Sequence, residues 1–167
     1  MTALWVARNQ AFPPNPQFEG VERAGLTEAL QFYGSSEAVI VGSEFMHYSF
    51  EKAMSVAGFG TRSLMKLRAD SNHRLDLDAL ERYLDESRRV QRTIIAIVGI
   101  AGTTDSGSID PLTDIARIAS RERIHFHVDA AWGGPLLFSH KRRRMLGGIE
   151  LADTVTIDGH KLMHFGW

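Results

Sequence analysis

Thr93-Ile94-Ile95-Ala96-Ile97-Val98 is the longest β-branched run in the chain. It lacks polar alternation, so it predicts a strand buried on both faces, as in the middle of a parallel sheet. Working outward, shorter apolar runs predict strands at Ala38-Val39-Ile40-Val41, Ser63 to Leu67, Ile124 to Asp129 and Thr154 to Ile157. Helical patterns lie around them. The first covers residues 2–9 and is closed off by Pro13, Pro14 and Pro16. The next, over 20–33, ends at Gly34, and Ser49 to Ala57 is stopped by Gly58 and Gly60. Asp76-Leu77-Asp78 opens a helix with acidic residues at its positive end. Pro111 sits at the start of another, where its missing N–H costs nothing. The alternation predicts an α/β domain, a largely parallel sheet flanked by helices.

Composition supports a packed core. The 167 residues are about one domain's worth of chain. With 44% hydrophobic and 23% charged residues, usage is that of an ordinary globular protein. Nineteen Lys and Arg against 20 Asp and Glu leave a net charge of −1, without the basic excess that nucleic-acid binding needs. Lys141-Arg142-Arg143-Arg144 is therefore expected to be a solvated helix face. The absence of cysteine excludes disulfides, thiolate metal sites and Cys nucleophiles. No stretch approaches the roughly 20 apolar residues of a membrane span, and Met1 to Asn9 lacks the basic start of a secretory signal. The expectation is a cytoplasmic protein with neither a membrane nor a nucleic acid as partner.

In open α/β sheets ligands bind beyond the carboxyl ends of the strands, and the polar residues gather there. The first strand leads to Ser43, Glu44 and His47; the longest leads to Gly99-Ile100-Ala101-Gly102-Thr103-Thr104-Asp105-Ser106-Gly107. His127-Val128-Asp129-Ala130-Ala131-Trp132-Gly133-Gly134 ends the next, and Asp158-Gly159-His160-Lys161 ends the last. A partly desolvated lysine at a strand end can attack a carbonyl, and a buried aspartate needs a cationic partner. Lys161 and Asp129 therefore have two readings, a reactive pair or a mutual salt bridge. His47 likewise either serves the site or caps the helix beginning near Ser49. His125 and His127 share one strand face, but without cysteine or a matching carboxylate no metal is expected. Thr103-Thr104 lacks the Gly-Lys-Ser/Thr of a nucleotide loop.

Three segments, Gly102 to Leu112, His127 to Gly134 and Asp153 to Lys161, resemble in order and spacing the pyridoxal-phosphate-dependent decarboxylases of the glutamate, aspartate and aromatic amino-acid type. The resemblance runs from about Thr2 to the end and looks most like the bacterial aspartate 1-decarboxylase or glutamate decarboxylase-like branch. It implies the fold-type I, aspartate-aminotransferase-like large domain, with pyridoxal 5′-phosphate as cofactor. Lys161 matches the lysine that holds the cofactor as a Schiff base. Asp129 matches the carboxylate that pairs with the pyridine nitrogen and favours its cationic form. His47 matches the histidine stacked on one ring face, and Ala131 the small residue under the other. Thr104 matches a threonine near the ring substituents, and His160 a residue at the phosphate end. His127 is a weaker site candidate.

The resemblance implies removal of the α-carboxylate from an acidic amino acid, aspartate or glutamate, by a homodimer. The alternatives are another enzyme of the same fold, lyase or aminotransferase-like, or a truncated, non-catalytic remnant. Two departures stand out. Gly159 occupies a position where many members have proline. The chain also starts just after the family's phosphate-binding turn and stops on Phe165-Gly166-Trp167, before the small C-terminal domain. All of residues 1–167 are therefore expected to be part of the cofactor-binding large domain.

Overall fold

The β-branched run forms the centre of the sheet. In the computed structural model, which describes residues 1–164, β3 (Thr93–Ile100) is buried at every position but its first, and β1 (Ala38–Ser43) is buried throughout. Around them lie β2 (Leu64–Leu67), β4 (His125–Asp129) and β5 (Thr154–Thr156), in the order β2-β1-β3-β4-β5. All four pairings are parallel. The register slips between Val39 and Ile40, which pair with Ile94 and Ala96. Ile95 is the extra residue of this bulge, and Ile95 and Ala96 both turn into the same core.

Helices cover both faces because the central strands are apolar on both. On one side α1 (Thr2–Ala11), α2 (Val21–Tyr33) and α3 (Ser49–Val56) pack Leu4, Ala7, Ala29, Phe50 and Met54 against Ile40, Val98 and Ile100. On the other, α4 (Leu77–Arg89) and α5 (Leu112–Glu122) bring Leu80, Leu84, Leu112 and Ile115 against Val39, Val41, Ile97 and Phe126. The Asp76 carboxylate caps α4 by accepting from the Ala79 N–H at 3.0 Å.

Several sequence expectations need correction. The 20–33 helix is kinked, because Gly25 sits at φ 83 in a conformation that side-chain-bearing residues rarely adopt. Ser63 belongs to a 3₁₀ turn (Thr61–Ser63) ahead of β2. The basic run is no helix face: Lys141 and Arg142 lie in a turn, and Arg143 and Arg144 open a short 3₁₀ segment whose apolar anchor is the buried Leu146. Its four basic side chains are exposed, as expected. Residues 165–167, the aromatic end noted in the sequence, lie outside the described residues. Among the described residues no helix is long and apolar enough to cross a membrane.

Candidate active site

Four strand ends and the first turn of α1 enclose one cavity of about 550 Å³. Its wall contains Lys161, Asp129, His47, Ala131, Thr104 and His160, all six of the residues singled out in the sequence, together with His127. Ala3 and Leu4 of α1, Met1 just before it, and Phe50 and Ala53 of α3 complete the lining.

Each residue is held by local geometry. After β1 the chain turns on Ser43, whose Oγ accepts from the Phe45 N–H at 3.2 Å. This brings Phe45 and His47 to the cavity. Glu44 turns elsewhere, and its carboxylate accepts from the Ala69 N–H at 2.8 Å. His47 lies 2.9 Å from the Ser49 hydroxyl through Nδ1, which also accepts from the Ser49 N–H at 3.3 Å. The N-cap position of α3 is Tyr48, without a side-chain cap, so His47 meets only the first N–H of the helix while lining the wall.

After β3, Gly102 and Thr103 donate through their N–H groups to the Ser108 carbonyl. The buried Thr103 hydroxyl contacts those of Ser106 and Ser108 at 2.8 and 3.0 Å, leaving Thr104 exposed at the rim. Gly102 adopts φ 98, and a Cβ there would press on the Gly133 N–H, so the loop and the segment after β4 meet backbone to backbone. Asp129 ends β4 half-buried, and its Oδ1 accepts from the Ala131 N–H at 3.1 Å, fixing the turn that sets Ala131 in the wall.

The segment after β5 is organised by Asp158. Its Oδ1 accepts from the His160 N–H at 2.9 Å and lies 3.2 Å from the His160 ring. The His160 backbone N–H in particular holds the Asp158 carboxyl below its usual range. Lys161 Nζ lies 4.0 Å from Asp158 Oδ2 and 5.9 Å from the centre of the Trp132 ring, within reach of its π-face. A direct salt bridge to Asp129 was the alternative reading of Lys161. Among the described residues its carboxylate neighbour is Asp158, three positions back on the same turn.

His127 is buried, and burial pulls its imidazole down to about 4. His125 and His127 do share a strand face, and both contact the Thr154 hydroxyl, at 2.7 and 2.9 Å.

Two neighbours escaped the sequence reading. Trp132 lines the cavity beside Lys161; its only signal was its position directly after Asp129-Ala-Ala. Asp110 is buried behind the Thr103 loop, where its Oδ1 accepts from the Leu75 N–H and its Oδ2 from the Ile100 N–H, both at 2.7 Å. Burial pushes its carboxyl up to about 6. An acid directly before Pro111, between a strand end and a helix start, was the available signal.

Residues 23–166 match the model of the pyridoxal-dependent decarboxylase conserved domain. The chain belongs to the pyridoxal-dependent decarboxylase family. It is 48% identical to the aspartate 1-decarboxylase of Aliivibrio fischeri over 164 residues, 98% of this chain and 30% of that protein. It is 39% identical to an L-2,4-diaminobutyrate decarboxylase of Acinetobacter baumannii over 122 residues, 73% of this chain and 24% of the relative. The crystal structure of mouse CSAD superposes with a TM-score of 0.87 at 33% identity, over 98% of this chain and 32% of that one. This decarboxylase-family chain thus has the fold-type I architecture and spans about 30% of the length of the Aliivibrio fischeri and mouse relatives.

Proposed function

We propose that the chain is part of the cofactor-binding large domain of a pyridoxal-phosphate-dependent decarboxylase acting on an acidic α-amino acid. The observation that carries this reading is the convergence of Lys161, Asp129, His47, Ala131, Thr104 and His160 on one cavity. The donor set suits the cofactor. It offers an amine for an aldehyde, a half-buried carboxylate for a ring nitrogen, an imidazole and a small alanine for two ring faces, and room for the ring.

When bound, pyridoxal phosphate supplies an electron sink for the bond to the departing carboxylate. Lys161 Nζ would hold the cofactor through its aldehyde carbon. Asp129 would pair with the ring nitrogen and favour its cationic form. His47 would support one ring face, and Ala131 would leave room at the other. Thr104, at the rim, would help hold the ring substituents, and His160 the phosphate end. Trp132 and Asp158 hold the free Lys161 ammonium in the cavity wall.

Aspartate is the first substrate to test, since the aspartate 1-decarboxylase of Aliivibrio fischeri shares 48% identity; glutamate is the second. A homodimer in the cytoplasm accompanies this reading. Trp5, Phe138 and Leu162 are exposed apolar side chains suited to cover by a second subunit or by the rest of a longer protein.

The experiment adds pyridoxal phosphate to the protein, follows visible absorption, and measures CO₂ released from aspartate and from glutamate. A band that Lys161→Ala abolishes, with CO₂ release from one of the two, is the expected result. No band, or one unchanged in Lys161→Ala, refutes the cofactor assignment. A band without CO₂ release refutes the decarboxylase assignment.

A further inference from the structure

A hydrogen-bonded run crosses the sheet edge behind the cavity. Gln10 Oε1 lies 2.6 Å from His125 Nδ1. His125 Nε2 lies 2.7 Å from Thr154 Oγ1, and His127 Nδ1 lies 2.9 Å from the same oxygen. His127 Nε2 is 3.4 Å from Thr156 Oγ1. Both imidazoles are buried, and burial disfavours their charged forms. The counter-charges in play, Asp153 for His125 and Asp129 for His127, oppose that effect without overcoming it.

A neutral imidazole carries one N–H, and a hydroxyl has one proton to give. These two facts order the whole run. The Gln10 oxygen only accepts, so His125 is protonated on Nδ1 and its Nε2 is an acceptor. The Thr154 hydroxyl must donate to that Nε2, which leaves its oxygen to accept. His127 then donates from Nδ1, and its Nε2 carries a lone pair. We infer that Thr154 is a positioning residue that fixes His127 as the tautomer protonated on Nδ1, with its unprotonated nitrogen toward Thr156 and the cavity. His127, two residues before Asp129 on the same strand face, therefore has no proton to offer that carboxylate. Asp129 remains an acceptor for a cationic donor in the cavity.

Reversing the Gln10 amide would reverse every proton along the run, so the alternative is discrete and observable. The test labels the chain with ¹⁵N-histidine and records two-bond ¹H–¹⁵N ring correlations at neutral pH, with His127→Asn identifying the signals. The expected spectrum shows His127 protonated on Nδ1 alone. Thr154→Val, which keeps the shape and removes the hydroxyl, should lose that pattern to a mixture of tautomers, and Thr154→Ser should restore it. A His127 protonated on Nε2 in the unmodified chain overturns the inference, and so does an unchanged pattern in Thr154→Val. If the valine variant does not fold, Gln10→Leu on the exposed end of the run takes its place. It should give the same loss, and an unchanged His127 pattern there overturns the inference.

Discussion

Asp110 and His127 are both buried and titrate in opposite senses over nearly the same pH range. Burial raises Asp110 from 3.8 to about 6 and lowers His127 from 6.5 to about 4. The folded chain holds the Asp110 proton more tightly than the unfolded chain. That contribution is fully present below pH 3.8 and is lost as pH rises to about 6. The folded chain holds the His127 proton less tightly. That contribution is fully present above pH 6.5 and is lost as pH falls to about 4. Each displacement spans a little over two decades of proton affinity, worth about 3 kcal/mol at about 1.4 kcal/mol per decade. The two nearly cancel in the native chain, and single substitutions should uncover them. Asp110→Asn should gain about 3 kcal/mol of relative stability between pH 4 and 6.5, and His127→Asn should lose about 3 kcal/mol over the same interval. Urea unfolding at half-unit pH steps reads this as a midpoint change of about 1.5 M, for a slope of about 2 kcal/mol/M. Asp70, Asp76, Asp158 and Glu122, held below their usual range by hydrogen bonds, are common to all three proteins and drop out of the comparison. Identical pH slopes in the native chain and both variants would refute the reasoning.

Gly133→Ala would place a Cβ 2.2 Å from the Ala101 carbonyl oxygen, and the backbone on either side must move. The expected cost is about 3 kcal/mol, seen in thermal unfolding as a drop of about 9 °C; an unchanged transition would contradict the close approach. Ala131→Leu extends a side chain into the cavity wall. It should weaken pyridoxal phosphate binding at least about tenfold in an absorbance titration, with the urea midpoint unmoved.

The central strands were legible because burial on both faces leaves a run such as Thr93 to Val98 no reason to alternate. The helix starts at Asp76 and Pro111 were legible because capping chemistry is local. The kink at Gly25 was not, since an isolated glycine inside an apolar pattern has the same spelling whether or not the backbone bends there. The basic run at 141–144 misled because four solvated cations suit a turn as well as a helix face. At the site, strand-end logic and motif order together brought the six candidates to one cavity. Asp110 stayed hidden because its partners, Leu75 and Ile100, are backbone N–H groups, one of them 35 positions away. Backbone donors have no signature in side-chain sequence. The Thr154 run was invisible for a related reason: His125 and His127 could be paired by eye, but their shared hydroxyl arrives from a different strand.

The cavity joins Met1 and Ala3 to His160 and Lys161, residues far apart in the sequence. Contacts of such large sequence separation close a long loop, and they form after the local helices. A molecule lodged in the cavity would therefore act as a reversible staple across the residues between them. At a hundred times its dissociation constant it would add about 2.7 kcal/mol to global stability. Resistance to unfolding and occupancy of the cavity should thus rise together.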